Sequence, residues 1–305
     1  MGHGRWDAED WTRYAAGHAG RGREQIFKAR GMDPRFNPAA ITLREARDGP
    51  LNPKSTAIIL ASDVTGSMGM VAEQMIRRGL DTTMRELLER KPVSDPQILA
   101  MAIGDAECDR APLQATEFEA DIRLAEQLQD LWIEGGGGAN PGESYHLAWA
   151  FAAMRTAIDC FEKRGKKGYL FTIGDEPILP RIAAQNLSRV FGAPFGAGMT
   201  SAEMLAMAAR RYEVFHIQLT TVGFSSREAG REKAMKTWRP LLGQRVLPCD
   251  DPERIAEIVV STIQVVEGVE PDVVSGSWSG PAARTVAGAL RDLGSSRRGG
   301  LIPRG

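Results

Sequence analysis

Short, continuous apolar runs alternate with longer segments whose apolar residues recur at helical spacing. Runs of this length suit strands that are buried on both faces, and the longer segments suit amphipathic helices. The predicted strands cover residues 56–62, 98–103, 113–118, 169–177, 213–223 and 245–250. The predicted helices cover residues 67–90, 119–132, 143–161, 201–211, 227–243 and 251–268. Residues 113–118 form a short run, and we expect an edge strand there.

Strands that alternate with helices predict an α/β fold. We expect a doubly wound, mostly parallel, six-stranded sheet of the Rossmann-like type, with helices on both faces. In such a sheet, ligands bind beyond the carboxyl ends of the strands, where the strand order reverses. The loops that follow the strands are therefore the first place to look for function.

The segments on either side of this pattern differ from it in composition. Residues 1–54 are polar with scattered aromatic anchors, which favours an arm with one helix and an extended stretch packed on the main domain. Residues 55–268 form the predicted domain. Residues 269–305 combine glycine and serine with a basic end, and we expect a linker, one short helix and a basic tail.

Composition narrows the class of protein. The net charge of -1 over 305 residues gives no reason to expect nucleic acid or an anionic membrane as the partner. The chain has no apolar run of transmembrane length, and its first residues lack the apolar core of a signal peptide. The three cysteines form no CxxC pair, which is typical of reduced thiols. The sequence thus predicts a cytoplasmic protein without a membrane segment.

Acidic and hydroxyl side chains follow the predicted strands directly. Because the carboxyl ends of parallel strands share one sheet edge, these loops should meet there. Oxygen ligands of this kind suit Mg2+, Ca2+ or Mn2+, whereas Zn2+ prefers His or Cys. The main candidates are Asp63, Thr65, Ser67 and Asp175, and the further candidates are Asn140, Glu143, Ser144, Asp105, Asp109 and Glu176.

Simpler interpretations exist for each loop. Asp63, Thr65 and Ser67 could turn the chain and cap the next helix. Asp105 and Asp109 could be solvated hairpin residues, and His146 could be a packing residue. The four glycines at positions 135–138 have neither P-loop nor G-x-G-x-x-G spacing, so we interpret them as backbone bends near the proposed cation.

The order of the motifs resembles a known family. "DVTGS" at residues 63–67 is similar to the metal-ion-dependent adhesion site of von Willebrand factor type A domains. Together with "GGGGANPGESY" and "GYLFTIGDE", it resembles the bacterial and phage members and those that accompany alpha-kinases. The resemblance spans about residues 55–268.

The resemblance implies a role for each matching residue. Thr65 and Ser67 would coordinate the metal directly, Asp63 directly or through water, and Asp175 through a metal-bound water. Family members usually place a threonine after the paired glycines of the second loop, and this chain has "ANP" at residues 139–141. Whether Asn140, Glu143 or Ser144 replaces that threonine stays open at this point.

The function expected from these features is a non-enzymatic, metal-dependent protein-interaction module. Ser67 has no recognisable His base, which argues against nucleophilic hydrolysis. The resemblance implies that the cation captures an Asp or Glu of a protein partner, as in an adaptor, and that the partner belongs to an AAA+ ATPase or kinase system. Two alternatives remain: a metal-dependent hydrolase or phosphotransferase component, and a structural protein that self-associates through its arm and tail.

Overall fold

The computed structural model describes residues 4–18, 21–68, 73–74, 79–135 and 142–293. These residues build a central six-stranded sheet with helices on both faces, which confirms the predicted fold class. Within the described ranges, no helix is both long enough and apolar enough to span a bilayer.

Each of the six predicted strands forms, and the described residues contain four further short strands. The strands predicted over residues 169–177 and 213–223 end earlier, at Gly174 and Leu219. In chain order the strands are β1 (Arg44–Ala46), β2 (Thr56–Asp63), β3 (Pro96–Ile103), β4 (Leu113–Ala115), β5 (Thr156–Ile158), β6 (Gly168–Gly174), β7 (Arg181–Ile182), β8 (Met199–Thr200), β9 (Tyr212–Leu219) and β10 (Val246–Cys249). The central sheet has the order β10-β9-β6-β2-β3-β4. All neighbours in it are parallel except β4, which pairs antiparallel with β3 at the edge. The prediction of an edge strand is confirmed.

Helices cover both faces of this sheet. In the described residues they are α1 (Ala8–His18), α2 (Arg23–Ile26), α3 (Leu80–Arg90), α4 (Arg123–Gln129), α5 (His146–Met154), α6 (Asp159–Glu162), α7 (Ala184–Phe191), α8 (Ser201–Ala208), α9 (Glu228–Leu242), α10 (Ile255–Val266), α11 (Pro271–Gly276) and α12 (Gly280–Leu290). Strand β2 shows why the apolar runs are continuous, because all of its residues are buried. Ile58 and Leu60 pack into the core on one face, and Ile59 and Ala61 pack into the core on the other.

Two helix predictions need correction. The predicted helix over residues 143–161 ends at Met154, and the chain then forms β5, which pairs in parallel with β1. The β-branched Thr156 and Ile158 favour this strand, and the arm supplies its partner. The predicted helix over residues 67–90 is seen as a 3-10 turn at Gly66–Met68 and as α3. Residues 69–72 and 75–78 of that prediction lie outside the described residues.

The flanking segments pack on the sheet. Trp11 and Phe36 of the arm are buried in the same core as β2. At the other end the prediction of a linker with one short helix is wrong, because α11 and α12 both form. Val274, Val286 and Leu290 bury their side chains together with Val265 of α10. The glycine and serine content of this segment gave no sign of its apolar face, because that face packs against helix α10.

Candidate metal centre

The candidate centre lies where the strand order reverses. The chain proceeds from β2 outward to β3 and later returns on the other side of β2 as β6. The reversal therefore falls between β2 and β6, which is where ligands bind in open α/β sheets. Asp63 is the last residue of β2, and Asp175 directly follows β6. The fold thus places the first and third predicted loops side by side.

Asp63 is fully buried and hydrogen-bonded on both oxygens. Its Oδ1 accepts from the backbone N–H and from the hydroxyl of Thr65, each at 2.7 Å. Its Oδ2 accepts from the Tyr145 hydroxyl at 3.1 Å. Burial, reinforced by Asp175 and Glu176, raises the pKa of Asp63 to about 8. Asp63 does turn the chain, as the simpler interpretation requires, but it does so inside a group of acidic residues.

Glu143 of the second loop reaches the first loop. The Thr65 hydroxyl lies 3.2 Å from Oε1 of Glu143, although the two residues are 78 positions apart. Because a hydroxyl carries one proton, Thr65 donates fully to only one of its two carboxyl neighbours. Oε2 of Glu143 is buried and finds no hydrogen-bond partner among the described residues. Burial and then Asp63, Glu176, Asp105 and Asp109 raise the pKa of Glu143 to about 10.

A close backbone contact holds the second loop against the third. The Glu143 N–H donates to the Pro177 carbonyl at 2.9 Å, and the Leu179 N–H donates to the Glu143 carbonyl at 3.2 Å. A Cβ on Gly142 would lie 2.4 Å from the Pro177 carbonyl oxygen. The second and third loops can therefore approach this closely only with glycine at position 142.

The third loop is fixed from the opposite side. Asp175 is buried, and its Oδ2 accepts from the Phe224 N–H, while its carbonyl accepts from the Ser225 hydroxyl. Burial raises the pKa of Asp175. Burial, together with Asp175 and Asp105, raises the pKa of Glu176 to about 7. These shifts indicate that several buried carboxylates lie close together here and resist ionisation together.

Ser144, Asp105 and Asp109 form the outer part of the centre. Asp105 and Asp109 are buried, so their interpretation as solvated hairpin residues is wrong. The Ser144 hydroxyl accepts from the Ala106 N–H at 2.9 Å, and Oδ2 of Asp109 accepts from the Asp105 N–H at 2.7 Å. Ser144 therefore anchors the loop that carries the two aspartates.

Sequence reasoning missed Tyr145. Its fully buried hydroxyl donates to Asp63 and accepts from the Glu176 N–H at 3.3 Å, so one phenol joins the first and third loops. Burial and the surrounding carboxylates raise its pKa. The signal in the sequence was a phenol between the glycine-rich loop and helix α5, whose residues are apolar after His146. Such a residue needs a polar partner when it is buried.

His216 lies in an aromatic stack beneath the centre. Its ring is 3.5 Å from that of Trp238 and 5.3 Å from that of Tyr145, measured between centroids. Its Nδ1 is 3.0 Å from the Thr172 hydroxyl, and its Nε2 is 3.3 Å from Oε1 of Gln218. Burial lowers the pKa of His216 to about 3. The imidazole is therefore neutral in the folded protein at ordinary pH.

This neutral imidazole predicts a loss of stability on acidification. The unfolded chain binds a proton near pH 6.5, so the contribution of His216 is complete above that pH and declines as the pH falls toward 3. Compared with His216→Gln, the parent should lose about 2 kcal/mol more of its free energy of unfolding between pH 7.5 and pH 5. Urea unfolding of both proteins measures this. The difference between them should stay constant from pH 7.5 to 8.5, and a constant difference down to pH 5 would contradict the prediction.

Some of the predicted residues are only partly described. Ser67 lies in the 3-10 turn, but its side chain is outside the described part of the structure, and Asn140 lies outside it altogether. His146 is buried, and burial lowers its pKa to about 3. Among the described side chains, no three of His, Cys, Asp and Glu are grouped closely enough to hold a metal ion by themselves. Among the described residues, the Thr65 hydroxyl lies within hydrogen-bonding distance of the carboxyl groups of Asp63 and Glu143.

The described residues fit a hard divalent cation on other grounds. Oε2 of Glu143 is buried without a partner in the described ranges, and a buried oxygen of this kind is costly unless it is satisfied. Asp63, Glu143 and Glu176 each have a raised pKa, to which neighbouring carboxylates contribute. A divalent cation would offset this repulsion.

Comparison with known proteins gives structural likenesses at low identity. No protein-family model and no curated protein matches the sequence. The pilus adhesin SpaC from Lactobacillus rhamnosus GG, in its open conformation, has 9% identity and a TM-score of 0.44, with 76% of this chain and 31% of the adhesin covered. A von Willebrand factor type A protein from Catenulispora acidiphila has 14% identity and a TM-score of 0.41, with 70% and 43% covered. Proximal thread matrix protein 1 from the mussel byssus has 11% identity and a TM-score of 0.35, with 70% and 46% covered. The chain spans less than half the length of each of these structures.

Proposed function

We propose that this chain is a von Willebrand A-like, metal-dependent protein-interaction module without enzymatic activity. One observation carries the proposal. Asp63 and Asp175 lie on the two sides of the strand-order reversal. The second loop brings Glu143 within hydrogen-bonding distance of Thr65, which follows Asp63. The motif order at residues 63–67, 135–145 and 168–176 supports the assignment.

The proposed ligands come from the first and third loops. Thr65 and Ser67 supply hydroxyl oxygens, Asp63 supplies a carboxylate, and Asp175 holds a water near the cation. Hydroxyl and carboxylate oxygens select Mg2+, Ca2+ or Mn2+, and Mg2+ is our first choice. When bound, the cation supplies a Lewis-acidic position at the protein surface for an external oxygen ligand.

We propose that the external ligand is an Asp or Glu of a protein partner. A cation with neutral hydroxyl ligands keeps enough charge to attract a carboxylate. The protein would then act as an adaptor in an assembly such as an AAA+ ATPase or kinase system.

Short peptides that carry a single Asp or Glu test this proposal. The immobilised peptides should retain the protein in Mg2+ and release it in EDTA, and the matching Asn or Gln peptides should not retain it. Asp63→Asn should abolish retention, whereas Asp272→Asn on the distant helix α11 should not. Equal retention in Mg2+ and EDTA would contradict metal-dependent capture. Phosphate-ester hydrolysis that Asp63→Ala abolishes would overturn the non-enzymatic role.

A further inference from the structure

Glu143 combines a fixed backbone with a free carboxylate oxygen. The Glu143 N–H donates to the Pro177 carbonyl, and the Glu143 carbonyl accepts from the Leu179 N–H. These two hydrogen bonds pair the Glu143 backbone with that of Ile178, which lies between Pro177 and Leu179. The side chain is 2% exposed. One oxygen lies beside the Thr65 hydroxyl, and the other has no partner among the described residues.

The neighbours of Glu143 do not explain this burial by themselves. Its Oε1 lies 3.2 Å from the Thr65 hydroxyl, and the charged groups with the largest effect on it, Asp63, Glu176, Asp105 and Asp109, are all acidic. A carboxylate surrounded by carboxylates is unfavourable unless a cation lies among them. Oε2 of Glu143, which has no hydrogen-bond partner among the described residues, is a second indication of a cation here.

We propose that Glu143 is an internal ligand of the cation, and that it occupies the position for which a partner's acidic residue competes. This inference rests on the proposed metal-dependent function and adds its regulation. Since the backbone of Glu143 is held by the third loop, the exchange needs only rotation of its side chain. The site is closed when the Glu143 carboxylate is on the cation and open when that carboxylate has left.

The chemical class of the competitor follows from this arrangement. Glu143 offers a carboxylate on a flexible chain, so the group that replaces it must also be a carboxylate. Binding of a partner then costs the displacement of Glu143, and acidic ligands should bind weakly to the parent protein. Removal of the Glu143 carboxylate should open the site to small carboxylates.

Mn2+ is the probe for this inference, because it reports both its affinity and its bound waters. Electron paramagnetic resonance gives the dissociation constant, and water-proton relaxation gives the number of waters on the ion. Glu143→Ala should weaken Mn2+ binding by at least about tenfold and add bound water. Acetate should displace that water in Glu143→Ala and leave the parent unchanged.

Two controls separate a ligand from a long-range charge. Glu143→Asp keeps the charge but shortens the side chain, so it should also weaken Mn2+ binding. Glu107→Ala removes an exposed carboxylate from the loop that carries Asp105 and Asp109, and it should leave the bound-water count unchanged. Glu143→Gln preserves the side-chain volume and replaces the alanine variant if that variant does not fold.

The outcomes distinguish this inference from the function on which it rests. If the parent takes up no Mn2+, the proposed function is overturned. If the parent binds Mn2+ and the Glu143 variants bind it with the same affinity and water count, only the internal ligand is overturned. An equal rise in bound water in Glu107→Ala, or acetate binding to the parent as tightly as to Glu143→Ala, would also overturn the internal ligand.

Discussion

Millimolar Mg2+ should raise the melting temperature of the metal-free protein by about 5 °C, and Asp63→Asn should remove this response. A ligand at about 100 times its dissociation constant stabilises the folded state by about 2.7 kcal/mol. For a chain of this size each kcal/mol shifts the melting temperature by about 2 °C. The physical source is the buried acidic group around Asp63 and Glu143, whose repulsion the cation offsets.

Thermal unfolding after EDTA treatment, with and without added cation, measures the effect. Asp63→Asn keeps the shape of the side chain but removes the charge that the cation needs. Asp272→Asn, in helix α11, should respond as the parent does. A parent that melts at the same temperature with and without Mg2+, Ca2+ and Mn2+ would contradict the prediction. Full stabilisation of Asp63→Asn would contradict the assignment of Asp63.

Gly142→Ala should destabilise the protein by about 3 kcal/mol and weaken cation binding as well. The added Cβ would lie 2.4 Å from the Pro177 carbonyl oxygen, which is backbone and has little room to move. Overpacking of this kind costs about 1–3 kcal/mol, and loss of the adjacent Glu143–Pro177 hydrogen bond adds about 1 kcal/mol. Once the second loop is pushed off the third, Glu143 no longer lies beside Thr65.

Gly288→Ala is the matched control. Gly288 lies inside helix α12, and a Cβ there meets no atom within 4 Å. Alanine should therefore stabilise the protein by about 0.5–1 kcal/mol. Urea unfolding of both variants gives the free energies, and Mn2+ titration of Gly142→Ala gives the loss of affinity. A Gly142→Ala protein as stable as the parent would show that the second and third loops do not need this close contact.

Local patterns predicted the parts of the site that depend on a single strand. Asp63 and Asp175 follow continuous apolar runs, and such runs indicate strands whose carboxyl ends share an edge. The same reasoning failed at Met154, where a helical pattern gives way to β5 because β1 of the arm pairs with it. It also failed in the tail, where Val286 and Leu290 find their partner in Val265 of α10.

The sequence by itself determined the α/β alternation, the position of the acidic loops and the oxygen-rich character of their side chains. These properties depend on residue type and on spacing over a few residues, so they can be seen along the chain. Only the tertiary structure decided that Glu143 of the second loop lies beside Thr65, and that Tyr145 bridges Asp63 and the third loop. Those contacts join residues 31 to 82 positions apart. Long-range contacts of this kind are set by how the strands and loops pack, which hydrophobic periodicity does not record.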